Sequence, residues 1–289
     1  MNKKDIELLL MLDQTKNITH AAEQLFVSQS TISMRITNLE KLYGIAIIIR
    51  KHRGIEWTDK GKLLLQFAQR FKLEHLKLLD QISEDAEVSG TLKIGVSHFF
   101  ALHKMPKILR LFKKEYPNVH IEIITGWSSE MYRELTVGNV HLIFVKGDFP
   151  WGDEKLLLYK EAMIVASAVP FELEDLPNLP RIDYKTDPLI KHTIDQWWNH
   201  TFTEQAKTAI FVNQVETCKE MILNGLGFGI LSEFVIKNEP SIYSKPIIHP
   251  ETNQHIIRPT WLYYEKTYSE LKSVHVFIQF IKKLNIESL

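Results

Sequence analysis

The chain of 289 residues carries 35 Lys+Arg against 35 Asp+Glu, with 45% hydrophobic and 24% charged residues. That length suggests two or three domains, and the composition is that of a soluble globular protein and not a disordered one. No uninterrupted apolar run, such as Leu8–Leu12 or Ile45–Ile49, approaches the ~18 residues of a membrane helix. The opening Met-Asn-Lys-Lys-Asp leads into a charged, patterned helix, unlike a secretory signal. Cys218 is the single cysteine, which excludes an intrachain disulfide and a multi-cysteine zinc site. A cytoplasmic protein is expected.

The zero net charge is an average. Residues 1–60 hold nine Lys/Arg against seven acids, and within Ser28–Gly54 five bases (Arg35, Lys41, Arg50, Lys51, Arg53) face Glu40 alone. Charge by itself could be no more than a solvated basic surface, so the pattern must decide. Ile6, Leu9, Leu10 and Leu12 with Met11 predict a first amphipathic helix. Asn17 or Thr19 caps a second, Thr19–Leu25, in which Ala21 and Ala22 allow close approach. After a turn at Phe26-Val27, Ser28 caps a third helix running to about Tyr43 and ended by Gly44.

Two short helices joined by a three- to four-residue turn make a helix-turn-helix. The exposed face of the third helix is predicted to carry Gln29, Ser30, Thr31, Ser33, Met34 and Arg35. Amide, hydroxyl and guanidinium groups are the types that read base edges in a major groove. Ile45–Ile49 and Ile55–Thr58 follow as two short strands. Between them lies the basic tip Arg50-Lys51-His52-Arg53-Gly54, suited to phosphates or a minor groove.

The run Ala21-Ala22-Glu23-Gln24-Leu25-Phe26-Val27-Ser28-Gln29-Ser30 resembles the N-terminus of LysR-type transcriptional regulators. So do Ile32-Ser33, Ile36, Leu39-Glu40, Gly44, Arg50, Arg53, Thr58 and Gly61, and the resemblance continues along the chain. It implies a winged helix-turn-helix DNA-binding domain at 1–60, with double-stranded promoter or operator DNA as partner and Ser28, Gln29, Ser30, Thr31, Ser33, Met34, Arg35, Arg50, Lys51 and Arg53 as contact residues. Two positions depart from the family: proline is usual where Ser30 stands, and arginine is common where Met34 stands. They leave the preferred DNA sequence open.

From Thr58 to about Glu87 there is no proline. Leu64, Phe67, Phe71, His75, Leu78 and Ile82 form a stripe at helical spacing. Packing on the domain's own core and packing on a second helix both suit it, but ~30 residues span roughly 45 Å, longer than a sixty-residue domain needs. It is similar to the LysR-type linker helix, here 58–87, which implies a homodimer and leaves a homotetramer open.

Ser89-Gly90 marks a boundary. Beyond it strands are predicted at Thr91–Val96, His120–Thr125 and Val140–Lys146, with a loop at Ser97-His98, a helix from about Lys104 to Glu115 and another opened by Ser128 or Ser129. A second set has strands at 162–167, 181–184, 209–212, 230–231 and 261–265, with helices at 189–200, 215–224 and 269–284. Such alternation predicts βαβ units and a mostly parallel sheet, so the fold class is α/β overall. Gly225, Gly227 and Gly229 follow a helix and precede a strand, the reverse of a dinucleotide loop, and read as a helix stop.

This part resembles the two-lobed, periplasmic-binding-protein-like effector domain of LysR-type regulators (91–289). The resemblance puts 91–161 and 267–289 in lobe I and 162–266 in lobe II. Ligands in open α/β sheets sit beyond strand carboxyl ends and on helix N-termini. The cleft is therefore expected to collect Ser97, His98, Ser128, Ser129, Lys146, Gln214, Thr217 and Arg258. Each also has a plain role open to it: cap for the serines, surface loop for His98, solvated charge for Lys146 and Arg258. Ile124–Met131 and Val215–Lys219, with Trp197-Trp198, look like the citrate-responsive branch typified by catabolite control protein C, which implies an anionic carboxylate effector such as citrate. A different metabolite, or a redox signal, sensed through the same cleft is the alternative. A cytoplasmic solute-binding protein is a weaker one.

No Gly-x-Ser-x-Gly elbow, phosphate loop or His-Glu-x-x-His is present, so no enzyme and no cofactor is expected.

Overall fold

The computed structural model describes residues 1–52, 54–82 and 87–289. Arg53 and the last residues of the predicted linker helix, 83–86, lie outside them.

The first three helices follow from their caps. In α1 (Lys3–Thr15) the Asn2 side chain accepts from Asp5 N while Asp5 accepts from Asn2 N, a reciprocal cap. In α2 (Ile18–Gln24) Asn17 Oδ1 accepts from Thr19 and His20 N. In α3 (Gln29–Tyr43) Ser28 Oγ accepts from Thr31 N, and Gly44 closes the helix at φ +63°. Leu8, Leu9, Leu12, Ala21, Ile32 and Ile36 are buried together as the small core.

The strand expected at Ile45–Ile49 is shorter. Ile47 N donates to Glu40 Oε1 at 2.8 Å, and Ile47 O accepts from Thr58 N, so both main-chain groups are taken before pairing can begin. Hence β1 runs Ile48–Lys51 and pairs antiparallel with β2 (Gly54–Trp57). Arg50 and Lys51, expected at the hairpin tip, are strand residues instead.

The long helix α4 spans Asp59–Ile82, about 36 Å. Leu65, Ala68 and Leu73 are buried, joining Ala68 to the small core of the N-terminal head (α1–α3 with β1 and β2) and Leu73 to the next domain's. Phe67, Phe71, Leu78 and Ile82 of the predicted stripe are exposed, together with Leu63 and Leu79. Leu64 instead packs partly against the head.

The remaining strands form one nine-stranded sheet in the order β4-β3-β5-β11-β6-β9-β7-β8, with β10 added on β6. In the first lobe β3 (Gly90–Ser97) pairs parallel with β4 (Val119–Gly126) and β5 (Leu142–Lys146). Helices α5 (His98–His103), α6 (Met105–Glu115), α7 (Ser128–Thr136) and α10 (Lys272–Lys283) belong with them. In the second lobe β7 (Arg181–Tyr184) pairs parallel with β8 (Thr208–Val212) and β9 (Phe228–Ser232), with α8 (Pro188–Thr201) and α9 (Val215–Leu223).

Two long antiparallel strands correct the expectation of a mostly parallel sheet. Of these, β6 (Glu154–Ser167) pairs first with β11 (Ile257–Tyr264), then with β9 and β10 (Tyr243–Pro246). Strand β11 was expected wholly in lobe II, yet Thr260–Tyr264 pair with β5 and bury Leu262 and Tyr264 in the first lobe's core. Together β6 and β11 carry the chain between the lobes. The loop expected at Ser97-His98 is the start of α5. Trp197 and Trp198 are buried in the second lobe's core. Gly227 lies at φ +149°, and a Cβ there would come within 2.2 Å of Pro180 O, so close packing accounts for it.

Candidate nucleic-acid interface and effector cleft

Around α3, burial of Ile32, Ile36 and Leu39 turns the opposite face outward. Gln29, Ser30 and Met34 are exposed on it, while Thr31, Ser33 and Arg35 are half-buried. Thr37 and Asn38 are exposed as well; their residue types give the same signal one turn further on. Ser28 works as a cap, its hydroxyl lying 2.8 Å from those of Ser30 and Thr31. In the wing Arg50 is exposed, and Lys51 reaches Glu56 across the hairpin at 3.3 Å.

The second place is a cavity of about 50 Å³ between the lobes, room for a few waters as it stands. Ser97, His98, Ser128, Lys146, Gln214 and Arg258 line it, six of the eight expected residues. They arrive from the end of β3, the starts of α5, α7 and α9, the end of β5 and from β11. Ser129 and Thr217 are not brought in by their side chains. Both are exposed, because each stands a residue or two past its helix start, where the helix has turned it outward.

The charges are arranged differently from a pair of free cations. Lys146 Nζ donates to Glu161 Oε2 at 2.5 Å, with both side chains under 5% exposed, and Ser232 Oγ donates to Glu161 Oε1 at 2.7 Å. The ammonium also lies 4.0 Å from the Phe99 ring. Burial pushes the Lys146 pKa down, and Glu161 opposes that shift. Ser128 Oγ accepts from Lys146 N at 3.2 Å, so this hydroxyl ties α7 to β5. Arg258 Nη2 donates to Asp187 Oδ2 at 3.2 Å, and Ser129 N donates to Asp187 Oδ1 at 3.2 Å. Trp127 closes one side, with the His98 ring edge-on at 5.5 Å and Lys185 Nζ at 5.1 Å.

Two of the lining residues carry a buried polar atom with no partner among the described residues, Ser97 Oγ and Arg258 Nε. Buried groups of this kind are rare enough to require a reason. Sequence reasoning missed Asp187 and Glu161. Asp187 stands before Pro188 in the position of an ordinary helix cap, and Glu161 lies in the part of β6 whose pattern had not been read as a strand. Elsewhere, Cys218 is fully buried and its thiol is pushed up to about 12, chiefly by burial. Among the described residues no cluster of metal-ligating side chains occurs, and no helix is long and apolar enough to cross a membrane.

Residues 4–62 match the bacterial regulatory helix-turn-helix protein, lysR family, and residues 85–285 match the LysR substrate binding domain. A Bacillus subtilis (strain 168) protein described as the uncharacterized HTH-type transcriptional regulator YraN is 35% identical over 283 residues, 98% of each chain. A full-length OxyR variant from Pseudomonas aeruginosa has a similar structure, with TM-score 0.68 at 18% identity over 99% of this chain and 96% of that one. Full-length CbnR complexed with target DNA gives TM-score 0.51 at 18% identity over 98% and 99%. At such identities the structural likeness shows the fold alone.

Proposed function

The chain belongs to the LysR family of transcriptional regulators, and we propose that it reads promoter DNA as a dimer and answers to a small polycarboxylate, citrate foremost, held between its lobes. The single observation carrying the effector half is that two residues lining one cavity beside the first turn of α7, Ser97 and Arg258, each keep a buried donor without a partner, Oγ and Nε. Carboxylate oxygens satisfy such donors with charge-assisted bonds. For the DNA half, support comes from the outward face of α3 with Gln29, Ser30, Ser33, Met34 and Arg35, together with Arg50 and Lys51 of the wing. The CbnR structure was solved with its target DNA, and this chain shares that fold.

The exposed stripe on α4 supports the dimer. Phe67, Phe71, Leu78 and Ile82 lie along one helix, apolar and uncovered in the single chain. A partner helix would cover them and set two reading heads side by side, as inverted half-sites require. The cleft reading has a direct check: titrate citrate into wild type and Ser97→Ala by calorimetry, and follow release of a duplex selected from a random pool by the full-length protein. Heat with wild type, weaker binding by Ser97→Ala and citrate-dependent release are expected. Citrate that binds neither protein and leaves the duplex bound would sink the proposal. A redox signal through Cys218 is disfavoured, since a buried thiol held protonated and donating to Ile182 O at 3.6 Å is a poor nucleophile.

A further inference from the structure

We propose that Asp187 occupies the effector's anion seat from within the protein and thereby restricts the cleft to ligands with more than one acidic group. The inference rests on the cavity being the effector site. Its starting point is a cap that does not cap. Asp187 stands at the N-cap of α8, before Pro188, yet its side chain makes no bond to its own helix. An exposed Asp would normally turn back to those N–H groups.

The carboxylate turns instead to α7 of the opposite lobe and to β11. One oxygen accepts from the Ser129 backbone N–H in the first turn of α7 and the other from the Arg258 guanidinium, each at 3.2 Å. Asp187 is 7% exposed and the Arg258 side chain 12%, so the bonds form away from bulk water. A helix N-terminal N–H beside a guanidinium is the donor set that a ligand carboxylate would use. Ser97, 6% exposed, gives an independent sign that the seat is larger than Asp187 fills: it lines the same cavity and its buried Oγ has no partner, as is true of Arg258 and its Nε.

The charge count makes the seat selective. Lys146 is paired with Glu161 and Arg258 with Asp187, while the other two charges of the lining, Lys185 and Glu216, lie respectively against Trp127 and 3.5 Å from His103, so three Lys/Arg are balanced in number by three acids. A monocarboxylate entering this balanced site must evict Asp187, and it exchanges one set of carboxylate bonds for an equal set while leaving Asp187 without its partners. A polycarboxylate can do the same and also satisfy Ser97 Oγ and Arg258 Nε, which offsets the eviction. Asp187 therefore acts as a competitor built into the second lobe, and its contact also holds the lobes together while no effector is bound.

The test uses the full chain and acetate as a minimal probe of the seat. Melting temperatures of wild type, Asp187→Ala and Asp187→Asn would be followed with sodium acetate, with sodium chloride at equal ionic strength and with citrate. Asp187→Ala should melt below wild type and be raised by acetate by roughly 3 °C at about ten times its Kd, with no such effect of chloride. Wild type should ignore acetate. Asp187→Asn keeps the side-chain volume and removes the charge, so calorimetry should find acetate binding roughly tenfold tighter than to wild type; this decides the matter if the alanine variant does not fold. Acetate acting no differently from chloride on Asp187→Ala, or binding Asp187→Asn and wild type alike, overturns the inference. Citrate without effect on all three proteins would count against the citrate reading and leave the acetate result to judge the seat.

Discussion

The reading head and the effector cleft solve opposite problems with similar side chains. In the head, Gln29, Ser30 and Met34 stand outward on one continuous helix, and the residues that hold that helix, Ile32, Ile36 and Leu39, are separate from those that face solvent. In the cleft, Lys146, Glu161, Asp187 and Arg258 are mutual partners before any ligand arrives, so the groups that would recognise an effector also hold the lobes. The outward residues of α3 can therefore be changed at little cost to folding. The cleft cannot.

The largest effect should come from breaking that coupling. Lys146→Met leaves Glu161 buried with only Ser232 as a donor, and removing one partner of a buried ion pair costs about 3–5 kcal/mol. Chemical denaturation should show that loss, with Lys146→Met/Glu161→Gln regaining a large part of it because the second charge is gone. A Lys146→Met protein as stable as wild type would mean that the pair is not the structural tie described here.

The same contrast explains what could be read from the sequence. The head is legible because its signals are local: Asn17, Ser28 and Gly44 mark helix ends, and the apolar spacing marks the buried face. Ser97, His98, Ser128, Lys146, Gln214 and Arg258 were reachable because strand ends and helix starts converge in an α/β sheet. Their partners were not. Whether Arg258 meets solvent or Asp187 depends on how β6 and β11 cross between the lobes, and β11 pairs with β5 through contacts more than a hundred residues apart. Nor does a one-residue difference on a helix start, which separates Ser128 from Ser129, follow from composition. The strand lost at Ile45–Ile47 has a similar origin, since Glu40 takes the Ile47 amide.

Acid sensitivity should reside in the body. His141, 6% exposed, accepts from Lys93 N through Nδ1 at 3.2 Å, and burial lowers its pKa from 6.5 to about 4, with Lys93 and Lys72 adding to the shift. Below pH 6.5 the unfolded chain takes up a proton that the folded one refuses. Stability is therefore full above that pH and declines as pH falls toward 4, by about 2 kcal/mol at pH 5. Denaturation at pH 7 and pH 5 should show this for wild type, and His141→Gln should flatten the difference. A smaller effect, and one on binding alone, is expected of Arg35→Ala: about tenfold weaker affinity for the selected duplex, with unchanged melting. Lost stability in that variant would blur the separation between holding and reading in the head.

The finest test concerns Ser28, where the two roles come closest. Its hydroxyl accepts from Thr31 N at 3.2 Å, and it also stands at the end of α3 that would enter a groove. Ser28→Ala should cost about 1 kcal/mol through the lost cap, read as faster amide exchange in the first turn of α3. Ser28→Asp restores an acceptor for that N–H and adds a negative charge where phosphates would approach. If Ser28 only caps, the aspartate variant should keep the exchange protection of wild type and lose duplex affinity, and the loss should shrink as salt rises. If both properties recover together, the negative charge meets no phosphate, and the N-terminus of α3 does not face DNA.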